Sequence, residues 1–183
     1  MRLIVSLVSV VACGATVEGN NVSGIDAPAF DSAPPIDAPS LDAPARLCAG
    51  GDTRASAADG SCLVFFNQPK SFADASAACI VFGSKLAVLT DANRDSVARG
   101  LSGALNVFVG LSDTVQEGTF VWADGTPLAF SNFNTGEPND ANGVFPEDCI
   151  ILNGAKNGKW DDRPCAPNAA TTVPGVYPYL CMF

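Results

Sequence analysis

Three short segments of this chain concentrate oxygen-bearing side chains: Glu137-Pro138-Asn139-Asp140, Glu147-Asp148-Cys149 and Trp160-Asp161-Asp162. From Glu137 to Asp148 there are four carboxylates and neither Lys nor Arg, and two more carboxylates follow Trp160. Brought together by folding, these groups repel one another unless a cation lies between them. Calcium suits them, because it takes about six to eight oxygens from carboxylates, amides, carbonyls and water. The chain has no histidine, which removes the commonest zinc ligand and the commonest general base. Zinc and copper then lack ligands if the cysteines are paired.

The cysteines stand at positions 13, 48, 62, 79, 149, 165 and 181. Six of them in residues 48–181, with no catalytic pattern around them, read as three disulfides formed in an oxidising space. A length of 183 residues with 48% hydrophobic content suits one domain of ordinary size and some extra chain. A net charge of −9 without basic runs argues against nucleic acid or an anionic membrane surface as partner.

The extra chain is N-terminal. Residues 1–12 carry Arg2 and then an apolar run, the order of a secretory signal and too short to span a bilayer. The segment Val10-Val11-Ala12-Cys13-Gly14 resembles the lipobox of bacterial lipoproteins. That resemblance implies a lipid anchor on Cys13, export to a bacterial cell envelope, and a use for the odd cysteine. The alternative is an ordinary signal peptide cut near Ala12 or Ala15. Residues 13–46 repeat Asp-Ala-Pro at 26–28, 37–39 and 42–44. With little apolar bulk and many prolines they read as a disordered tether reaching about 100 Å at full extension. No heptad pattern offers a coiled-coil stalk, and the sequence sets no oligomeric state.

From residue 47 the pattern is that of a mixed domain. Residues 63–66 read as a strand after a turn at Asp59-Gly60. Ser71 then caps a helix with Phe72, Ala75, Ala78, Cys79 and Phe82 on one face, stopped by Gly83. A second helix follows a Thr90 cap, with Val97 and Leu101 inward and Asp91, Arg94, Asp95 and Arg99 outward. Further strands are expected at 107–111, 119–122, 149–152 and 179–183. Residues 125–146, rich in Asn, Gly and Pro, form a loop of a length that is usually functional. Trp122, Trp160, Phe130 and Phe133 read as core, and Lys156 and Lys159 as parts of a solvated turn at Asn157-Gly158.

This order of elements resembles the C-type lectin-like fold over residues 47–183. The residues that carry the likeness are Phe108-Val109-Gly110-Leu111, similar to that family's Trp-Ile-Gly-Leu segment, together with Glu137-Pro138-Asn139, Trp160-Asp161-Asp162 and the cysteine set. The resemblance implies an α+β domain of two helices with short antiparallel sheets, a long calcium-binding loop and three disulfides. Its pairing would be Cys79 with Cys181, Cys149 with Cys165, and Cys48 with Cys62. It places a principal calcium on Glu137, Asn139, Glu147, Asp161 and Asp162, with sugar hydroxyls reaching Glu137, Asn139, Glu147 and Asp161. An auxiliary calcium would use Asp113, Glu117, Asp140, Glu147 and Asp148. Pro138 resembles the family's cis proline. Glu-Pro-Asn in this family goes with equatorial hydroxyl pairs, hence mannose-type glycans.

Asp161 departs from the Asn usual in sugar-binding members and removes one amide donor. The interval from Asn139 to Glu147, around Ala141-Asn142-Gly143, is also longer by about two residues. The function implied is a calcium-dependent lectin module binding glycans or glycoproteins at a cell surface; the alternative is a protein-binding adhesin whose loops calcium orders. A glycosidase using Glu137 and Glu147 is disfavoured, since those oxygens are committed to the metal.

Overall fold

The structure, a computed structural model, describes residues 48, 50–140, 146–168 and 174–183. The expected leader, Cys13, the tether and Ala141-Asn142-Gly143 lie outside the described residues. In chain order the elements are β1 (Thr53–Ser56), β2 (Cys62–Lys70), α1 (Phe72–Val81), β3 (Lys85–Leu86), α2 (Ala92–Ser102), β4 (Val107–Ser112) and β5 (Val121–Trp122). Then come β6 (Cys149–Asn153), a 3₁₀ turn (Gly154–Lys156), β7 (Lys159–Arg163) and β8 (Tyr177–Met182).

The strands form one 8-stranded sheet of order β1-β2-β8-β4-β6-β7, with β3 beside β8 and β5 beside β4. Several short antiparallel sheets were expected; they are joined because the last strand inserts between β2 and β4. Its contact with β4, at Phe108 and Tyr179, is the parallel junction. Alternation along the central strands gives the sheet two buried faces. Val107, Val109 and Leu111 of β4 share one face with Ile150 and Leu152 of β6, Leu180 of β8, Trp122 and Trp160. Phe108, Cys149, Ile151, Tyr177, Tyr179 and Cys181 line the other. Ala98 of α2 belongs to the first face, and Ala75 and Cys79 of α1 to the second.

Both helices begin on side-chain caps. The Ser71 hydroxyl accepts from the Asp74 amide at 3.2 Å, and α1 ends as expected before Gly83, whose φ is +69°. The cap of α2 is Asp91, not Thr90: the Asp91 carboxylate accepts from the amides of Asn93 and Arg94 at 2.8 and 3.0 Å. A carboxylate at a helix N-terminus also gains from the helix dipole, which a hydroxyl does not. Thr90 instead accepts from Arg94.

Asp95, expected outward, is 2% exposed. Its position three residues before Ala98 and seven before Ser102 puts it on the buried face of α2. Its carboxylate accepts from Trp160 Nε1 at 2.8 Å, Asn132 Nδ2 at 2.8 Å and Arg99 Nε at 3.0 Å.

The disulfides are Cys48–Cys62, Cys79–Cys181 and Cys149–Cys165, the pairing that the resemblance implied. Closing the 102-residue loop from Cys79 to Cys181 contributes about 4 to 5 kcal/mol on a chain-entropy estimate. Gly110 is fixed by packing: an added Cβ would lie 2.7 Å from the Leu86 carbonyl oxygen and 2.9 Å from Ala123 Cβ.

Candidate metal centre

The acidic segments meet at the edge of the sheet. Strand β7 is the outermost in the order and reads Lys-Trp-Asp-Asp-Arg, a composition that holds as a strand because Trp160 anchors it. Trp160 is fully buried, its N–H bonded to Asp95. Trp122, Phe130 and Phe133 pack edge-on to it at ring distances of 5.6, 5.8 and 5.5 Å. The same tryptophan positions the long loop: Trp160 N donates to the Asn132 carbonyl and Asn134 N to the Trp160 carbonyl, both at 2.9 Å. Phe130, Phe133 and both tryptophans thus serve the core, as expected.

The loop then turns through a cis Glu137–Pro138 bond and runs against Asp162. The Asp162 carboxylate accepts from the amides of Asn139, at 3.0 Å, and Asp140, at 2.7 Å. Carboxylate oxygens of Glu137, Asp161 and Asp162 come within 4.8 Å of one another, and the side-chain Nδ2 of Asn139 donates to Glu137 Oε2. Burial and the charges of Asp161 and Asp162 push the Glu137 carboxyl up to about 7. Asp161 is shifted upward too, burial outweighing its hydrogen bond from Asn153 and the charge of Arg163.

Glu147 is not in that tight group. It is buried, its Oε1 lies 3.4 Å from Arg163, and its amide donates to Asp140 at 3.0 Å. Arg163 also binds Asp161 Oδ2 at 2.7 Å, where Asn153 Nδ2 joins it at 2.6 Å.

Asp113, at 4% exposure, lies beyond the end of β4. Its amide donates to the Asp148 carbonyl at 3.1 Å, and Gly118 N donates to its carboxylate at 2.8 Å. Burial, then the charges of Asp162 and Asp140, raise its carboxyl above the ordinary value. Burial, then Asp113 and Asp140, raise Asp148. The exposed Glu117 is raised chiefly by Asp113. These acids therefore share one electrostatic neighbourhood with Asp140. A depression of about 270 Å³, lined by Asp113, Glu117, Asp140, Asn139 and Asp162 among others, joins the two groups.

The donor set fits a hard divalent ion. Every group is an oxygen donor, and two carboxylate oxygens, Asp161 Oδ1 and Asp113 Oδ1, are buried without a hydrogen-bond partner. One belongs to each group, and an unpartnered buried charge is costly without a cation. Sequence reasoning missed Arg163, Asn153 and Asp95. Arg163 was readable from the two-residue period of a strand, which aligns it with Asp161. Asn153 became visible only with the register of β6 on β7.

Residues 68–172 match the family model described as "Lectin C-type domain". Over 127 residues the chain is 33% identical to mouse tetranectin, covering 67% of this chain and 59% of that protein. The chain thus spans less than two thirds of the length of the curated relatives it matches. Among solved structures it is similar to the cow CD23 C-type carbohydrate-recognition domain, determined in the presence of GlcNAc2Man3 oligosaccharide. The TM-score there is 0.58 at 27% identity, covering 67% of this chain and 87% of that one. The mouse scavenger receptor C-type lectin carbohydrate-recognition domain shares the fold, with a TM-score of 0.63 at 22% identity over 74% of this chain and 98% of that one.

Proposed function

The chain belongs to the C-type lectin domain family, and from that premise we propose that it is a calcium-dependent carbohydrate-binding module that takes mannose-type glycans. The observation that supports this reading best is the convergence of Glu137, Asp161 and Asp162 beside an exposed Asn139 whose amide already meets Glu137. Glu137, Asn139, Glu147, Asp161 and Asp162 would hold the principal calcium, and Asp113, Glu117, Asp140, Glu147 and Asp148 the auxiliary one. The ion supplies a Lewis-acid contact to neighbouring hydroxyls of a sugar ring. The side chains do the rest: Glu137 and Glu147 accept hydrogen bonds from hydroxyl protons, and Asn139 donates to a hydroxyl oxygen. The cow CD23 carbohydrate-recognition domain, determined in the presence of an oligosaccharide, supports the choice of glycans as partners.

This reading assigns no chemical step to the site; its carboxylates are ligands, and the relatives are lectins and binding proteins. It places the module outside the cell, carried by a cleaved or lipidated leader at 1–12 and Cys13, and held off a bacterial envelope by residues 13–46. Among the described residues no helix is long and apolar enough to cross a membrane.

One observation favours a second reading, in which calcium orders the loop and a protein surface is bound. Asp161 Oδ2 is already taken by Asn153 and Arg163, and a carboxylate gives a sugar no donor. A glycan array of the full-length chain with calcium and with EDTA decides between them. Calcium-dependent signal on mannose-type glycans is expected; an array blank under both conditions removes the lectin reading.

A further inference from the structure

Three acids converge where a calcium is proposed, Glu147 lies beside them, and the structure already supplies two of these four with a cation. Among the described residues, Arg163 is the one Lys or Arg that forms an ion pair with any of Glu137, Glu147, Asp161 and Asp162. It follows Asp161 by two positions on β7, so both side chains leave the same side of the strand. Its guanidinium spans Asp161 Oδ2 at 2.7 Å and Glu147 Oε1 at 3.4 Å. The side chains of these two acids are 3% and 1% exposed, whereas that of Arg163 keeps 27%. The pairing is therefore buried at its acidic end and open at its basic end, a geometry in which the arginine can withdraw and the acids cannot.

We propose that Arg163 is an internal counter-cation that sets the calcium affinity of this site, holding Glu147 and Asp161 in the ion-free protein and opposing the entry of a divalent ion. The inference rests on the calcium reading of the same residues. Two effects carry it. Its positive charge, spread over two of the four acids, lowers the field that attracts a dication. Its hold on Glu147 must be given up or shared when that side chain becomes a ligand. At Asp161 the division of labour is already visible: Oδ2 serves Arg163 and Asn153, and Oδ1 is buried without a partner, the oxygen of this carboxylate left for an ion.

A merely structural arginine gives the opposite sign. If Arg163 only braced the ligands, its loss would loosen them and weaken calcium. As a counter-cation, its loss leaves the acids uncompensated, so the ion-free form is destabilised and calcium binds more tightly.

The test is calorimetric titration of calcium chloride alone into the full-length chain, as wild type, Arg163→Gln and Arg163→Lys, with thermal melts in EDTA alongside. Arg163→Gln is expected to bind calcium about tenfold more tightly or better and to melt lower in EDTA. Arg163→Lys, which keeps the charge, is expected to stay within about threefold of wild type. Unchanged or weaker calcium binding by Arg163→Gln overturns the proposal. Should that variant unfold in EDTA, it is kept loaded and its affinity read by competition with a chelator, with the same two outcomes. Wild type that takes up no calcium removes the calcium reading and this inference with it. Wild type that binds while Arg163→Gln does not tighten removes this inference alone.

Discussion

Glu137 gives the proposed site a calculable pH response. In the ion-free protein its carboxyl is raised from 4.5 to about 7, by burial first and then by Asp161 and Asp162. The folded, ion-free domain therefore holds a proton over a range where the unfolded chain has released it. The stability contributed by this group is full below 4.5 and is lost as pH rises through about 7. Calcium acts in the other direction, since a proton and a dication compete for the same oxygens. At pH 5 a group titrating near 7 is about 99% protonated, so apparent calcium affinity should be about a hundredfold lower than at pH 8 and should level off above about pH 7.5. Asp113, Asp148 and Asp161, raised chiefly by burial, steepen the fall on the acid side. Calorimetric titrations of the full chain at half-unit intervals, each in two buffers of different ionisation heat, give both the affinity and the protons released. About one proton should leave near pH 6. An affinity flat across this range with no proton release would refute the reasoning, because Glu137 would then not share its oxygens with the ion.

Three substitutions probe the scaffold and the ligands separately. Asp162→Ala removes a carboxylate of the tight group and the acceptor of the Asn139 and Asp140 amides. Calcium affinity should fall about a hundredfold and calcium-dependent glycan signal should vanish, as read by calorimetry and array. Asp95→Ala strands the Trp160 and Asn132 donors inside the protein, at a cost of about 3 kcal/mol in urea denaturation. Gly110→Ala forces a Cβ against the Leu86 carbonyl and should cost about 2 to 3 kcal/mol, seen as a lower urea midpoint with unchanged calcium stoichiometry.

The fold was legible where local signals and burial agreed. The Ser71 cap, the apolar face of α1 and the central strands β4, β6 and β8 all follow from caps and apolar runs. The misses have a common cause. Lys159–Arg163 has four charged residues in five, so its strand signal is weak and rests on Trp160, whose packing makes the segment a strand. Residue type alone makes Asp95 solvent-facing, although its spacing to Ala98 and Ser102 points inward. Local sequence cannot say that an indole N–H and an amide thirty-seven residues away will meet this carboxylate. The candidate ligands themselves were legible by type and segment, but the tight group turned out to be Glu137, Asp161 and Asp162, with Glu147 turned to Arg163.

That division shows how an acidic cluster can exist before any ion arrives. The scaffold holds carboxylates together by means that do not involve their charge: the Trp160 anchor, the Cys149–Cys165 bridge and the loop bonded across β7. Repulsion is then relieved by a proton on Glu137, by Arg163 on Asp161 and Glu147, and by backbone amides on Asp162. The first two substitutes are coupled, because the charge of Arg163 lowers the Glu137 value. Removing Arg163 should therefore raise Glu137 further and move the pH midpoint of calcium binding upward. The affinity gained by Arg163→Gln should accordingly be largest near pH 8 and shrink toward pH 6, where the proton takes over the vacated role. Titrations of wild type and variant at both pH values measure this directly. A gain that is the same at pH 6 and pH 8 would mean that proton and guanidinium act on separate acids, and the cluster would have to be treated as two independent sites.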